Sequence, residues 1–165
     1  MSDGAAYLIH VSADAAHLLA AGAWLGGLLP LGYLLALAGR SREHGSNASL
    51  ALLRFSGMGY TAVLTLVVSG LINTWFLVGS VSALTASPYG LLLLAKLCLF
   101  AGMVALAALN RFWLVPSLTT STKPVAQASA VFVRLRRHVL CEQAIGLVVV
   151  FIVSMLGMTQ PAINA

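Results

Sequence analysis

His10, Asp14 and His17 stand at i, i+4 and i+7, the spacing that lines one face of a helix, and Trp24 continues that face. Imidazole nitrogen suits copper, zinc or haem iron. A carboxylate between two histidines either ligates the ion or orients a ring by accepting its other N–H. Spacing limits the set. Along a regular helix His10 and His17 are separated by about 10.5 Å of rise, too far to bind one ion, so either the helix start is unwound or only His17 works inside the apolar stretch that follows.

The elements that must hold these groups are membrane helices. Of the 165 residues, 60% are hydrophobic and 8% charged, with a mean hydropathy of +0.97, whereas a soluble domain carries about 25% charge. A hydrocarbon core of about 30 Å takes roughly 20 apolar residues, and the stretches 15–38, 55–79, 90–114 and 139–160 are long enough. Runs such as Leu91-Leu92-Leu93-Leu94 do not alternate as barrel strands must. The expected fold is therefore all-α: one integral membrane four-helix bundle over 1–165. Met1-Ser2-Asp3-Gly4 is not a basic n-region, so the first stretch is read as a span rather than a cleaved leader.

Positive charge falls in two connections. Arg40, Arg42 and Arg54 belong to the first, and Arg111, Lys123, Arg134, Arg136 and Arg137 to the second, while 80–89 has none. This asymmetry, rather than nucleic acid, explains the net charge of +5. By the positive-inside rule both termini and the short connection face outward. Cys98 and Cys141 lie inside spans without a CxxC and are read as small buried apolar residues.

With depth set this way, the polar groups form two layers. Asp14, His17, Asn73 and Lys96 lie in the outer third, and Arg54, Asn110, Arg111, His138 and Glu142 near the inner surface. Ionisable groups within a span point to function by default. Lys96, about 9 Å inside its helix start, either snorkels outward or pairs with Asp14. Thr61, Thr65, Ser69 and Asn73 make an almost axial polar line, either packing glue bonded to its own backbone or a path; the Asn73 amide cannot be satisfied so locally. Met103 shares a face with Lys96 and Asn110. Met155 and Met158 point away from Glu142, toward lipid or packing. Glu142, one turn beyond His138, reads as an interfacial partner for arginine or as a release site. Gly22 and Gly26 form a GxxxG pattern open to a neighbouring helix. Ser87-Pro88-Tyr89-Gly90 starts the third helix with Tyr89 at the outer interface, and Pro161 ends the fourth. No nucleophile–base set, phosphate cradle or HExxH is present, so an enzyme is not expected.

In order along the chain, Ala13-Asp14-Ala15-Ala16-His17-Leu18-Leu19-Ala20-Ala21-Gly22-Ala23-Trp24-Leu25-Gly26-Gly27-Leu28, Ser69-Gly70-Leu71-Ile72-Asn73, Ser87-Pro88-Tyr89-Gly90 with Lys96, Ala108-Leu109-Asn110-Arg111-Phe112, Leu135-Arg136-Arg137 with Glu142, and Leu156-Gly157-Met158-Thr159-Gln160-Pro161 resemble the copper resistance protein D (CopD) domain over roughly 8–162. That resemblance implies a bacterial inner-membrane bundle that moves copper from periplasm to cytoplasm, often beside a periplasmic CopC-like carrier. Larger members have about eight spans, and this chain resembles their C-terminal four, which leaves a homodimer or hetero-assembly open.

The expected function is copper handling. On this reading His10, Asp14 and His17 capture the ion, Asn73, Lys96 and Met103 shape the layer, and Asn110 and Glu142 lie toward the inner exit. Two rivals stand beside it: a haem-binding redox module using His17, and a non-transporting copper scaffold.

Overall fold

A computed structural model describes residues 2–38, 42–78, 84–85, 87–116 and 125–159. Every regular element among them is helical: α1 (Ser2–Leu37), α2 (Arg42–Val78), α3 (Pro88–Leu109), continued by a π-helical turn at Asn110–Leu114, and α4 (Val125–Met158). Four apolar segments within them are long enough to cross a membrane, namely Gly4–Leu37, His44–Phe76, Pro88–Leu114 and Ala130–Met158. Arg40, Lys123 and Pro161, expected to set topology or end a helix, lie outside the described residues.

Three helices run beyond the expected spans. The N-terminal extension of α1 reaches Ser2, and α2 and α4 begin at Arg42 and Val125, because a window of about 20 residues measures lipid thickness, not helix length. Arg54 consequently lies on an exposed face of α2 and not in a connection. Ser87 caps α3 through a 3.0 Å bond from the Gly90 N–H to its hydroxyl, and Pro88 occupies the first turn, where a missing N–H costs nothing. Tyr89 is buried with Leu93 and Leu156.

Large apolar side chains such as Leu19, Tyr33, Trp75, Trp113 and Phe151 are exposed, as lipid-facing positions must be. Lipid gives no hydrophobic drive toward association, so packing and interhelical hydrogen bonds hold the bundle. α1 packs against α2 and α4, α4 packs against α3, and α2 and α3 do not pack along their length. Close approach comes at Gly27, where a Cβ would meet the Phe55 ring, and at Gly146, where one would overlap Leu25. Gly22 and Gly26 face open space, so the GxxxG pair packs no helix of this bundle. Cys98 and Cys141 are free, and both are exposed rather than buried.

The core is a column of Trp24, Leu28, Leu31, Met103, Leu135 and Val139. Trp24 meets Phe100 edge-on at 6.0 Å between ring centroids. This apolar level separates two polar sites, one between α1 and α2 and one between α3 and α4.

Candidate functional site

The first site is a seam between antiparallel helices. His10 lies against the Phe76 ring at 5.1 Å, Asn73 Nδ2 donates to Asp14 Oδ1 at 3.2 Å, and His17 Nδ1 is 3.0 Å from Ser69 Oγ. These are successive rungs. Residue numbers rise on α1 as they fall on α2, so the polar face of one helix meets the polar line of the other.

Two hydroxyls of that line bond to their own helix, Thr61 to Met58 O and Ser69 to Thr65 O, as does the neighbouring Thr74 to Gly70 O. This decides the tautomer of His17. Ser69 gives its hydrogen to Thr65 O at 2.5 Å, so its oxygen can only accept from the ring, and the proton must be on Nδ1. In the neutral imidazole Nε2 then carries the lone pair a metal needs. Ser69 is the orienting partner that a ligating histidine requires. Its role needs the register of the α1–α2 pair and is not visible in the polar line alone.

His10 Nδ1 and Asn73 Oδ1 are buried without a hydrogen-bond partner. Asn73 thus crosses the seam, as its amide demands, yet keeps its carbonyl oxygen unsatisfied. Because α1 is helical from Ser2, His10 and His17 remain about two turns apart. Among the described residues no three His, Cys, Asp or Glu side chains converge on one point.

Asp14 acts electrostatically on His17, Tyr89 and the half-buried Lys96. Among the described residues Asp14 and Lys96 form no direct ion pair; the carboxylate accepts from Asn73 instead. Met103 is buried beside Trp24 at the intervening level. Met158 is 80% exposed, in keeping with a lipid-facing position.

The second site lies toward the arginine-rich end. Asn110 Nδ2 donates to Glu142 Oε1 at 2.9 Å, and Asn110 Oδ1 is 2.7 Å from His138 Nδ1. Since the amide spends its donor on the carboxylate, its oxygen accepts, and His138 is protonated at Nδ1. The i, i+4 spacing of His138 and Glu142 is the sequence signal for this pair. Glu142 therefore meets Asn110, where arginine was the expected partner. A cavity of about 440 Å³, lined from all four helices by Trp24, Phe55, Tyr60, Arg111 and Glu142 among others, lies beside it.

A bis-histidine haem would need a second imidazole at the His17 level; among the described residues His10 lies about two turns away along α1, His44 stands at the start of α2, and His138 is bonded to Asn110 at the other end.

The copper resistance protein D family model matches residues 49–156. The chain is 37% identical over 162 residues to the inner membrane protein YebZ of Escherichia coli (strain K12), a match covering 98% of this chain and 52% of that protein. It is 33% identical over 171 residues to the copper resistance protein D of Pseudomonas syringae pv. tomato, covering 100% of this chain and 54% of the relative. Similarity to the copper transport protein CutJ of Bacillus subtilis (strain 168) is 36% over 97 residues, or 59% of this chain and 18% of CutJ. The chain thus spans about half the length of the first two relatives. No solved structure gives a significant match.

Proposed function

Because the chain belongs to the copper resistance protein D family, we propose that it takes up copper at the α1–α2 seam and moves it toward the arginine-rich end. It is a multi-pass protein of the bacterial inner membrane. The positive-inside rule orients the seam to the periplasm, where a CopC-like carrier would deliver the ion.

One observation carries the reading: His17 offers a lone-pair nitrogen fixed by Ser69, in the same seam as the buried acceptor Asn73 Oδ1, which has no donor, and the unpartnered ring nitrogen His10 Nδ1. Unsatisfied buried acceptors are costly, about 1–3 kcal/mol each. A cation relieves that cost, whereas an anion or a neutral acceptor does not. Nitrogen and oxygen donors of this kind suit copper. Asp14 supplies the negative charge, and Lys96 offsets it, so the carboxylate keeps the layer from repelling a cation.

Below the seam Met103 offers a soft thioether, and the cavity beside Glu142 lies beyond it. Trp24 and Phe100 close the level between. That closure favours one second reading, a module that holds copper and hands it to a partner without carrying it across; neither reading needs a catalytic step. Copper flux into proteoliposomes separates them. Transport predicts luminal copper that is lost in His17→Ala, and bound copper without flux selects the holding module.

A further inference from the structure

Glu142 is the one buried charged side chain among the described residues, 2% exposed. Its single hydrogen-bond partner among them is Asn110. An ionised carboxylate in such a place is expensive unless it is paired or can take a proton. The groups facing it are few. Arg111 from the π turn and Tyr60 from α2 line the same cavity, His138 stands one turn away on α4, and α1 presents only apolar side chains there, Trp24, Leu28 and Leu31.

We propose that Glu142 is a proton-binding site, loaded from the arginine-rich side of the membrane through the cavity and positioned by Asn110 and His138. The loading step transfers a proton from hydronium in the solvent on that side to Glu142, giving the neutral carboxylic acid and water. Three features build the site. The cavity of about 440 Å³ has room for water beside the carboxyl group, and Ser56, Tyr60 and Arg111 are among the residues of a wall that is otherwise mostly apolar. The π-helical turn, closed by the Val115 N–H on Asn110 O, leaves Asn110, Arg111 and Phe112 all lining that cavity; such turns are frequent at functional sites. The amide of Asn110 is held from both sides, donating to Glu142 and accepting from His138, so it cannot rotate to present its oxygen to the carboxylate.

His138 is a positioning residue: by holding the Asn110 oxygen it keeps the amide N–H on the carboxylate, and without it the amide is free to turn its oxygen to the carboxylic acid, which favours the protonated form of Glu142. The proposal does not depend on which cargo crosses the membrane.

Infrared difference spectroscopy over a pH series, on the full chain in lipid nanodiscs, tests it. The chain contains two glutamates, Glu43 and Glu142, so ¹³C-carboxyl glutamate in a Glu43→Gln background labels Glu142 alone. The expected result is an isotope-shifted carboxylic-acid band that disappears as pH rises, is absent from Glu142→Gln, and has its midpoint moved upward in His138→Phe. A labelled band that does not titrate, or none at any pH, overturns the site. An unmoved midpoint in His138→Phe overturns the part given to His138. Because the label reads Glu142 without replacing it, a poorly folding Glu142→Gln leaves the outcome decidable.

Discussion

His17 and Ser69 meet across the α1–α2 seam at 3.0 Å, Nδ1 to hydroxyl oxygen, and the hydroxyl hydrogen is already given to Thr65 O. The contact therefore forms only with the proton on Nδ1. Removing an orienting partner of a ligating histidine costs about 10–100-fold in metal affinity. Ser69→Ala is expected to weaken copper binding by that factor while leaving the helix intact, since Ser69 otherwise bonds only within α2. Competition of the purified protein against a copper chelator measures it; unchanged affinity would show that the ring orientation does not matter.

Asn110 holds the buried carboxylate of Glu142. Asn110→Leu strands that acceptor, and the expected loss is about 1–3 kcal/mol. Replacing both residues by leucine removes acceptor and donor together, so the double variant should lose less than the two single losses added. Unfolding in detergent reads all three, and strict additivity would mean that the two side chains do not support one another.

Two glycines of α1 give an internal comparison. A Cβ at Gly27 comes within 2.7 Å of the Phe55 ring, whereas one at Gly22 meets nothing within 4 Å. Gly27→Ala should destabilise by about 1–3 kcal/mol through overpacking. Gly22→Ala should be neutral or slightly stabilising, because alanine favours the helix. Thermal stability in detergent ranks them, and equal effects would contradict the placement of α1 on α2.

How far the sequence reached depends on what each inference needed. Four spans follow from the length of apolar runs; depth along them puts Asn110, His138 and Glu142 in one layer, and the structure bonds these three to one another. Pairing within a layer was less legible. Charge complementarity points Glu142 to an arginine, but its partner is Asn110, at the start of a π turn that no residue pattern announces. Ser69 was visible as one rung of a polar line; its partnership with His17 required the register of two helices 52 residues apart in sequence. Gly22 and Gly26 carried a packing motif, yet the contacts fell at Gly27 and Gly146, because the motif does not say which face a helix turns inward.

Asp14 and Lys96 act on each other through space without a direct ion pair. With Asp14 exposed and bonded to Asn73, their coupling in a double-mutant cycle should be less than about 1 kcal/mol. Copper binding should nevertheless fall in Asp14→Ala and rise in Lys96→Ala, since the field at the seam changes sign of bias in each. A coupling of several kcal/mol would instead indicate a direct pair.

Copper analysis of the purified protein, with His10 and His17 replaced separately, bears most directly on the proposed seam site. His17→Ala should abolish stoichiometric copper, and His10→Ala should weaken binding without abolishing it, because the two rings lie too far apart to hold one ion together. Full copper occupancy in His17→Ala, at unchanged affinity, would contradict the assignment of the seam as the site of copper capture.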